Sequence, residues 1–193
     1  MLGSLAAVAA LVAAVVTVAV LSSLGHGPPT RPEPEVVLEL SGDDQDPAPS
    51  LVGDDVTGDV LPTESFSRLE GGLGSFADYR GTPLVVNFFA SWCAPCVAEM
   101  PDFEAVHQEQ GDQVAFIGVN LRDQVGAARA LVEQTGVTYD IVRDPAGDLA
   151  SALGVVAMPS TLFVSAEGRV IDMAAGELSA DELRQRVDEL VGP

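Results

Sequence analysis

The sequence predicts an α/β sandwich, and three observations carry the prediction. After about Leu61, strand-like and helix-like segments alternate. Two of the strand segments, residues 84–90 (LVVNFFA) and 114–120 (VAFIGVN), are near-continuous apolar runs, the pattern of strands covered on both faces. The helical segments carry their own start and stop signals, such as Ser179 with Glu182 three residues on, and Gly136 after residues 124–134. A chain of 193 residues suits one such domain with appendages.

The appendages come first. Residues 1–24 carry no charged side chain, and residues 5–21 (LAAVAALVAAVVTVAVL) are interrupted only by Thr17, enough to span a bilayer core as a helix. The stretch reads as a transmembrane anchor or as a secretory signal. No clean small-x-small cleavage site follows it, which favours the anchor, and the acidic stretch beyond it favours an extracytoplasmic C-terminal side. Residues 25–57 read as a tether stiffened by Pro28, Pro29, Pro32, Pro34, Pro47 and Pro49 and kept solvated by acids such as Asp43, Asp44 and Asp46. Residues 58–193 form the folded domain.

Within the domain, Pro83 stands where the strand 84–90 can begin. Ser91-Trp92-Cys93-Ala94-Pro95-Cys96 follows at once and opens a helix running to about Gln110. The strand 114–120 precedes the helix 124–134. Residues 137–142 then read as a short strand and 147–153 as a short helix stopped by Gly154. Glu167-Gly168 between residues 161–165 and 170–174 signals a hairpin. Leu183, Val187 and Leu190 form the inward face of the last helix.

The net charge of −20, from 29 acids against nine Arg and no Lys, excludes a nucleic-acid-binding role, because no basic run exists to neutralise phosphates. That charge beside 47 % hydrophobic residues requires the two kinds to be segregated. They are: the uncharged first 24 residues precede a segment 25–70 of net charge −9 and a segment 71–193 of net charge −11.

The only two cysteines stand as Cys93-x-x-Cys96 at a strand-to-helix junction. Residues three apart on a first helical turn share a face, so the sulfurs can close a disulfide or open to a dithiol. Cys93, at the positive end of the helix dipole, is the expected attacking thiolate, and Cys96 the resolving thiol. Pro95 suits the first turn, where a missing N–H costs nothing. A four-ligand zinc site lacks ligands, since the only histidines are His26 and His107. Haem attachment needs a histidine where Val97 stands, and a peroxiredoxin-type peroxidase needs a threonine where Ala90 stands. A purely structural disulfide would close too small a loop to constrain the unfolded chain much.

The run from Val85 to Cys96 (VVNFFASWCAPC), then Glu99-Met100-Pro101 and later Met158-Pro159-Ser160-Thr161, resembles the thioredoxin superfamily, and within it the membrane-anchored TlpA/ResA-like thiol-disulfide oxidoreductases. The resemblance covers roughly residues 58–191. It implies a thioredoxin-like fold, a central mixed sheet flanked by helices, with the segment from about Asp123 to Val155 as the branch's inserted helix and strand. It implies that Pro101 kinks the active-site helix, that Trp92 shields the disulfide, and that Pro159 is a cis-proline facing the cysteines. A cis-proline there leaves the Met158 backbone free to pair with an extended substrate. Glu99 fits the branch and equally suits a solvated acid on that helix. Where thioredoxins proper carry a buried acid, this chain has Asn87, which takes no proton from Cys96; Asp123 and Glu99 are the remaining candidates for the general base.

The resemblance further implies exchange with protein thiols or disulfides, with the Cys93–Cys96 disulfide as redox centre and no metal or other cofactor. A reductant in cytochrome c maturation, acting on apocytochrome c and supplied by a membrane thiol-transfer electron donor, is the first reading. An oxidant that installs disulfides in exported proteins is the second, and a redox-silent polypeptide-binding module the third.

Overall fold

The computed structural model describes residues 55–192; the expected membrane segment 1–24 and nearly all of the expected tether lie outside the described residues. Among the described residues, no helix is long and apolar enough to cross a membrane. The strands are β1 (Phe66–Arg68), β2 (Leu73–Gly74), β3 (Leu84–Phe89), β4 (Ala115–Leu121), β5 (Asp140–Asp144), β6 (Ser160–Val164) and β7 (Val170–Ala175). The helices are α1 (Ala94–Gln110), α2 (Val125–Thr135), α3 (Asp148–Ala152) and α4 (Ala180–Val191). One mixed sheet runs β2-β1-β5-β4-β3-β6-β7, with β3–β4 and β4–β5 parallel and the other pairs antiparallel.

The apolar run of β3 is buried along its whole length because both faces of the sheet are covered. Val85 and Phe89 point into one core with Met100, Phe103 and Val106 of α1 and Leu183 and Val187 of α4. Leu84, Val86 and Phe88 point into the other, with Phe66, Phe76, Leu149 and Leu153. This period of two is what a strand imposes on its side chains. Val56 and Leu61 also enter the second core, so packing reaches the first described residues.

The helix signals act as expected. Gly136 ends α2 in the left-handed conformation (φ 72°), and Ser179 with Glu182 makes a reciprocal capping box at α4. The strand expected over 137–142 is shifted: pairing with β4 begins only at Asp140 and runs to Asp144, while Val137 and Tyr139 are buried outside the ladder. The β1–β2 hairpin was not legible, because strands of three and two residues are too short for a periodic pattern. Its turn is Gly71-Gly72, both at positive φ.

The register brings three chain segments together. Parallel pairing of Phe89 with Asn120 sets the end of β4 beside the segment leading to Cys93. Antiparallel pairing of Phe88 with Ser160 sets Pro159, just before β6, at the same end of β3. The carboxyl end of the central strand is therefore where a site can be assembled.

Candidate active site

Cys93 caps α1 and Cys96 lies in its first turn, and the two are joined in a disulfide. The Cys96 N–H donates to Cys93 Sγ at 3.3 Å, so the helix terminus points a backbone donor at the sulfur expected to be the attacking thiolate. Cys93 keeps 6 % of its surface and opens on a groove of about 710 Å³; Cys96 keeps none and does not reach it. Pro95, exposed, follows Ala94 in the first turn of α1. Pro101 lies inside α1, which continues through it to Gln110; the ring removes the N–H that would pair with the Val97 carbonyl.

The groove's walls come from the three converging segments. Trp92 and Pro95 stand on one side, Val155, Val156 and Met158 on another, and Leu121 and Arg122 close the β4 end. Trp92 is 63 % exposed and forms a wall of the groove beside Cys93. The Met158–Pro159 peptide is cis. The Pro159 carbonyl accepts from Gly176 N–H, whereas the Met158 main chain makes no backbone hydrogen bond among the described residues. It is thus free to pair with an extended chain laid in the groove.

Glu99, three residues past Cys96, is 1 % exposed. The reading of it as a solvated acid is overturned: α4 and β3 close over its face of α1. Oε1 accepts from the Asn87 amide at 2.8 Å and Oε2 from Leu178 N–H at 3.1 Å. Burial dominates and pushes the carboxyl up to about 7, against those two donors, which favour the ionised form. Asn87 also donates to Thr161 Oγ1 at 3.2 Å, linking β3 to β6.

Asp123 has the opposite character. Its carboxylate accepts from Ser91 N–H at 2.7 Å, Ser91 Oγ at 2.8 Å, the Asn120 amide at 3.0 Å and Gln124 N–H at 2.7 Å. Burial raises its pKa, but the Asn120 amide, the Ser91 donors and Gln124 N–H together hold it below the usual carboxylate range. It is a latch between β4 and the segment before Cys93, and a poor proton acceptor near neutrality. Arg122 beside it was not singled out from the sequence, since nothing in an arginine between a strand and a helix marks it as lining a site.

The one reactive bond this groove presents is a disulfide, so its chemistry is sulfur exchange, and fold and site together define a thiol-disulfide oxidoreductase of thioredoxin-like fold. Residues 57–173 match the AhpC/TSA family, and the chain belongs to that family. It is similar to the thiol-disulfide oxidoreductase ResA of Geobacillus thermodenitrificans, 29 % identical over 136 residues, covering 69 % of this chain and 77 % of that protein. It is also similar to the thiol:disulfide interchange protein DsbE homolog of Paracoccus denitrificans, 32 % identical over 150 residues, covering 76 % and 79 %. Among solved structures it resembles a secreted Mycobacterium tuberculosis disulfide oxidoreductase homologous to Escherichia coli DsbE, with TM-score 0.61, 28 % identity, and 66 % and 96 % of the two chains covered.

Proposed function

We propose that this protein is an extracytoplasmic reductant of protein disulfides that serves cytochrome c maturation, held to the membrane by residues 1–24 with residues 58–193 as its catalytic domain. The observation that carries the exchange cycle is an asymmetry: Cys93 alone of the two cysteines reaches the groove, while Cys96 is fully buried on the same helix as a buried carboxyl, Glu99, three residues on, that titrates at about 7.

The reduced enzyme acts in two steps. The Cys93 thiolate attacks one sulfur of a substrate disulfide, forming a mixed disulfide and expelling the other substrate sulfur as thiolate. Cys96, losing its proton to Glu99, then attacks the Cys93 sulfur, closing Cys93–Cys96 and releasing the second substrate thiolate. Two electrons pass from enzyme to substrate, and the released thiolates take up protons. Met158 holds the substrate backbone, Pro159 shapes that edge, and Asn87 steadies Glu99. Trp92, Pro95 and Pro101 set the approach to Cys93 and the first turns of α1. A membrane thiol-transfer donor restores the dithiol. The cytochrome assignment rests on the resemblance to TlpA/ResA-like proteins, and the extracytoplasmic site on residues 5–21.

A Cys96→Ala variant expressed in its own cell tests this reading. Apocytochrome c trapped on Cys93 as a mixed disulfide is the expected product. Trapping of exported proteins with structural disulfides instead would make the protein an oxidant, and no trapping at all would defeat the exchange cycle.

A further inference from the structure

The groove over Cys93 departs from the rest of this acidic molecule in its charge. None of its lining residues is a carboxylate, and its one charged lining residue is Arg122. Arg122 is exposed, and no ion pair among the described residues engages it. Its backbone is also unusual: at φ 47° it is the sole non-glycine residue at positive φ among the described residues, a conformation that a β-carbon disfavours.

Neighbouring groups hold it there. Arg122 N–H donates to the Asp144 carbonyl at 3.0 Å, and its own carbonyl accepts from Trp92 Nε1 at 3.4 Å. Its Nε donates to the Ala146 carbonyl at 3.3 Å. The guanidinium lies over Gly147, so close that a β-carbon on Gly147 would stand 2.5 Å from Nη2. Gly147 is fixed in turn by Asp144 Oδ1, which accepts its N–H at 3.0 Å. Backbone strain, a glycine platform and two carbonyls thus aim one cation at the rim of a groove whose large apolar lining residues are Leu121, Val155, Val156, Met158 and Trp92.

From this we infer that Arg122 sets substrate specificity: the groove takes an extended polypeptide whose reactive cysteine has a carboxylate side chain within two residues, beside an apolar one. Arg122 pairs with the carboxylate, and the apolar wall takes the neighbouring side chain. The inference rests on the proposed exchange cycle and adds a substrate class to it. A cation in a carboxylate-free groove also draws an acidic segment toward a protein of net charge −20, which repels it elsewhere.

The test uses peptides whose cysteine is blocked as a mixed disulfide with 2-mercaptoethanol. Each position within two residues of the cysteine is Glu in one peptide and Gln in its twin. The reduced full chain, in detergent, is followed in single turnovers at low ionic strength; each turnover oxidises the enzyme dithiol to the disulfide and releases the peptide thiol and 2-mercaptoethanol. The expected result is a rate about fivefold higher for a Glu peptide than for its Gln twin at one or more positions, the gain of a partly exposed charge pair. The ratio falls to about one in Arg122→Gln and below one in Arg122→Glu. Because it is taken within each variant, a general change in folding or in Cys93 reactivity cancels. Equal rates for all twins in the wild type, or a preference that survives Arg122→Gln, would overturn the inference and leave the exchange cycle standing. Failure to reduce any peptide would overturn the cycle itself.

Discussion

The Asn87 amide donates to Glu99 Oε1 at 2.8 Å, a bond that joins the central strand to the active-site helix between residues 12 apart in sequence. It holds a carboxyl of the active-site helix out of water and gives it a neutral partner where a cation would have kept it ionised. With the Leu178 N–H on the other oxygen, both carboxyl oxygens are held.

The first prediction concerns resolution of the mixed disulfide. In the proposed cycle Glu99 takes the Cys96 proton, so with Glu99→Gln release of substrate at pH 7 is expected to slow by about a hundredfold, the usual scale of general base catalysis. Acid-quenched mass spectrometry separates formation of the mixed disulfide from its decay. A decay rate equal to that of the wild type would remove Glu99 from the cycle.

Glu99 also couples stability to pH. Its carboxyl titrates near 4.5 in the unfolded chain and at about 7 in the fold, so between those values the folded state keeps a proton that the unfolded state releases. The stabilisation is fully present below pH 4.5 and is lost as pH rises through 7, amounting to about 3 kcal/mol. Urea unfolding of the oxidised protein at pH 5 and pH 8 should show the wild type losing stability by this order and Glu99→Gln losing much less. Parallel losses in the two would contradict it.

Asp123 accepts four hydrogen bonds, two of them from Ser91 in the segment before Cys93. Asp123→Ala strands the Ser91 and Gln124 N–H groups and the Asn120 amide, and unsatisfied donors of this kind cost about 1–3 kcal/mol each when water cannot reach them. A loss of about 3 kcal/mol in urea unfolding is expected, with faster hydrogen exchange at Ser91. An unchanged midpoint would mean that water replaces the carboxylate at no cost.

The Gly147 platform can be separated from backbone strain. Gly147 (φ +87°) and Gly58 (φ +94°) both disfavour a β-carbon by conformation, but only at Gly147 does that carbon meet the Arg122 guanidinium, whereas nothing lies within 4 Å of it at Gly58. Both Ala variants should lose about 1–2 kcal/mol from the left-handed backbone. Only Gly147→Ala should also lower the Glu-to-Gln peptide rate ratio. Equal ratios in the two variants would show that the guanidinium needs no glycine beneath it.

Much of this molecule was legible in the chain. The strand 84–90, the helix opening at the cysteines, the capping box at Ser179 and the cis-proline before Ser160 all depend on residues a few positions apart, or on a motif carried by the resemblance. Glu99 shows the boundary: its spacing from Cys96 is readable, but its burial is not. The two-stranded hairpin at Phe66 and the start of β5 at Asp140 were missed for a related reason, because short strands take their register from partners rather than from periodicity.

By itself, the sequence determined what neighbours along the chain determine: the α/β alternation, the two sulfurs on one helical turn, and the sign of charge in each segment. Only the tertiary structure decided which of two plausible carboxylates is buried toward neutrality and which stays ionised. Glu99 receives its environment from Asn87 and from Leu178, 79 residues away, and is pushed toward neutrality by burial, while Asp123 gathers four donors and stays ionised. A carboxyl's proton affinity is set by the water and dipoles around it in space, and no spacing in the chain records those.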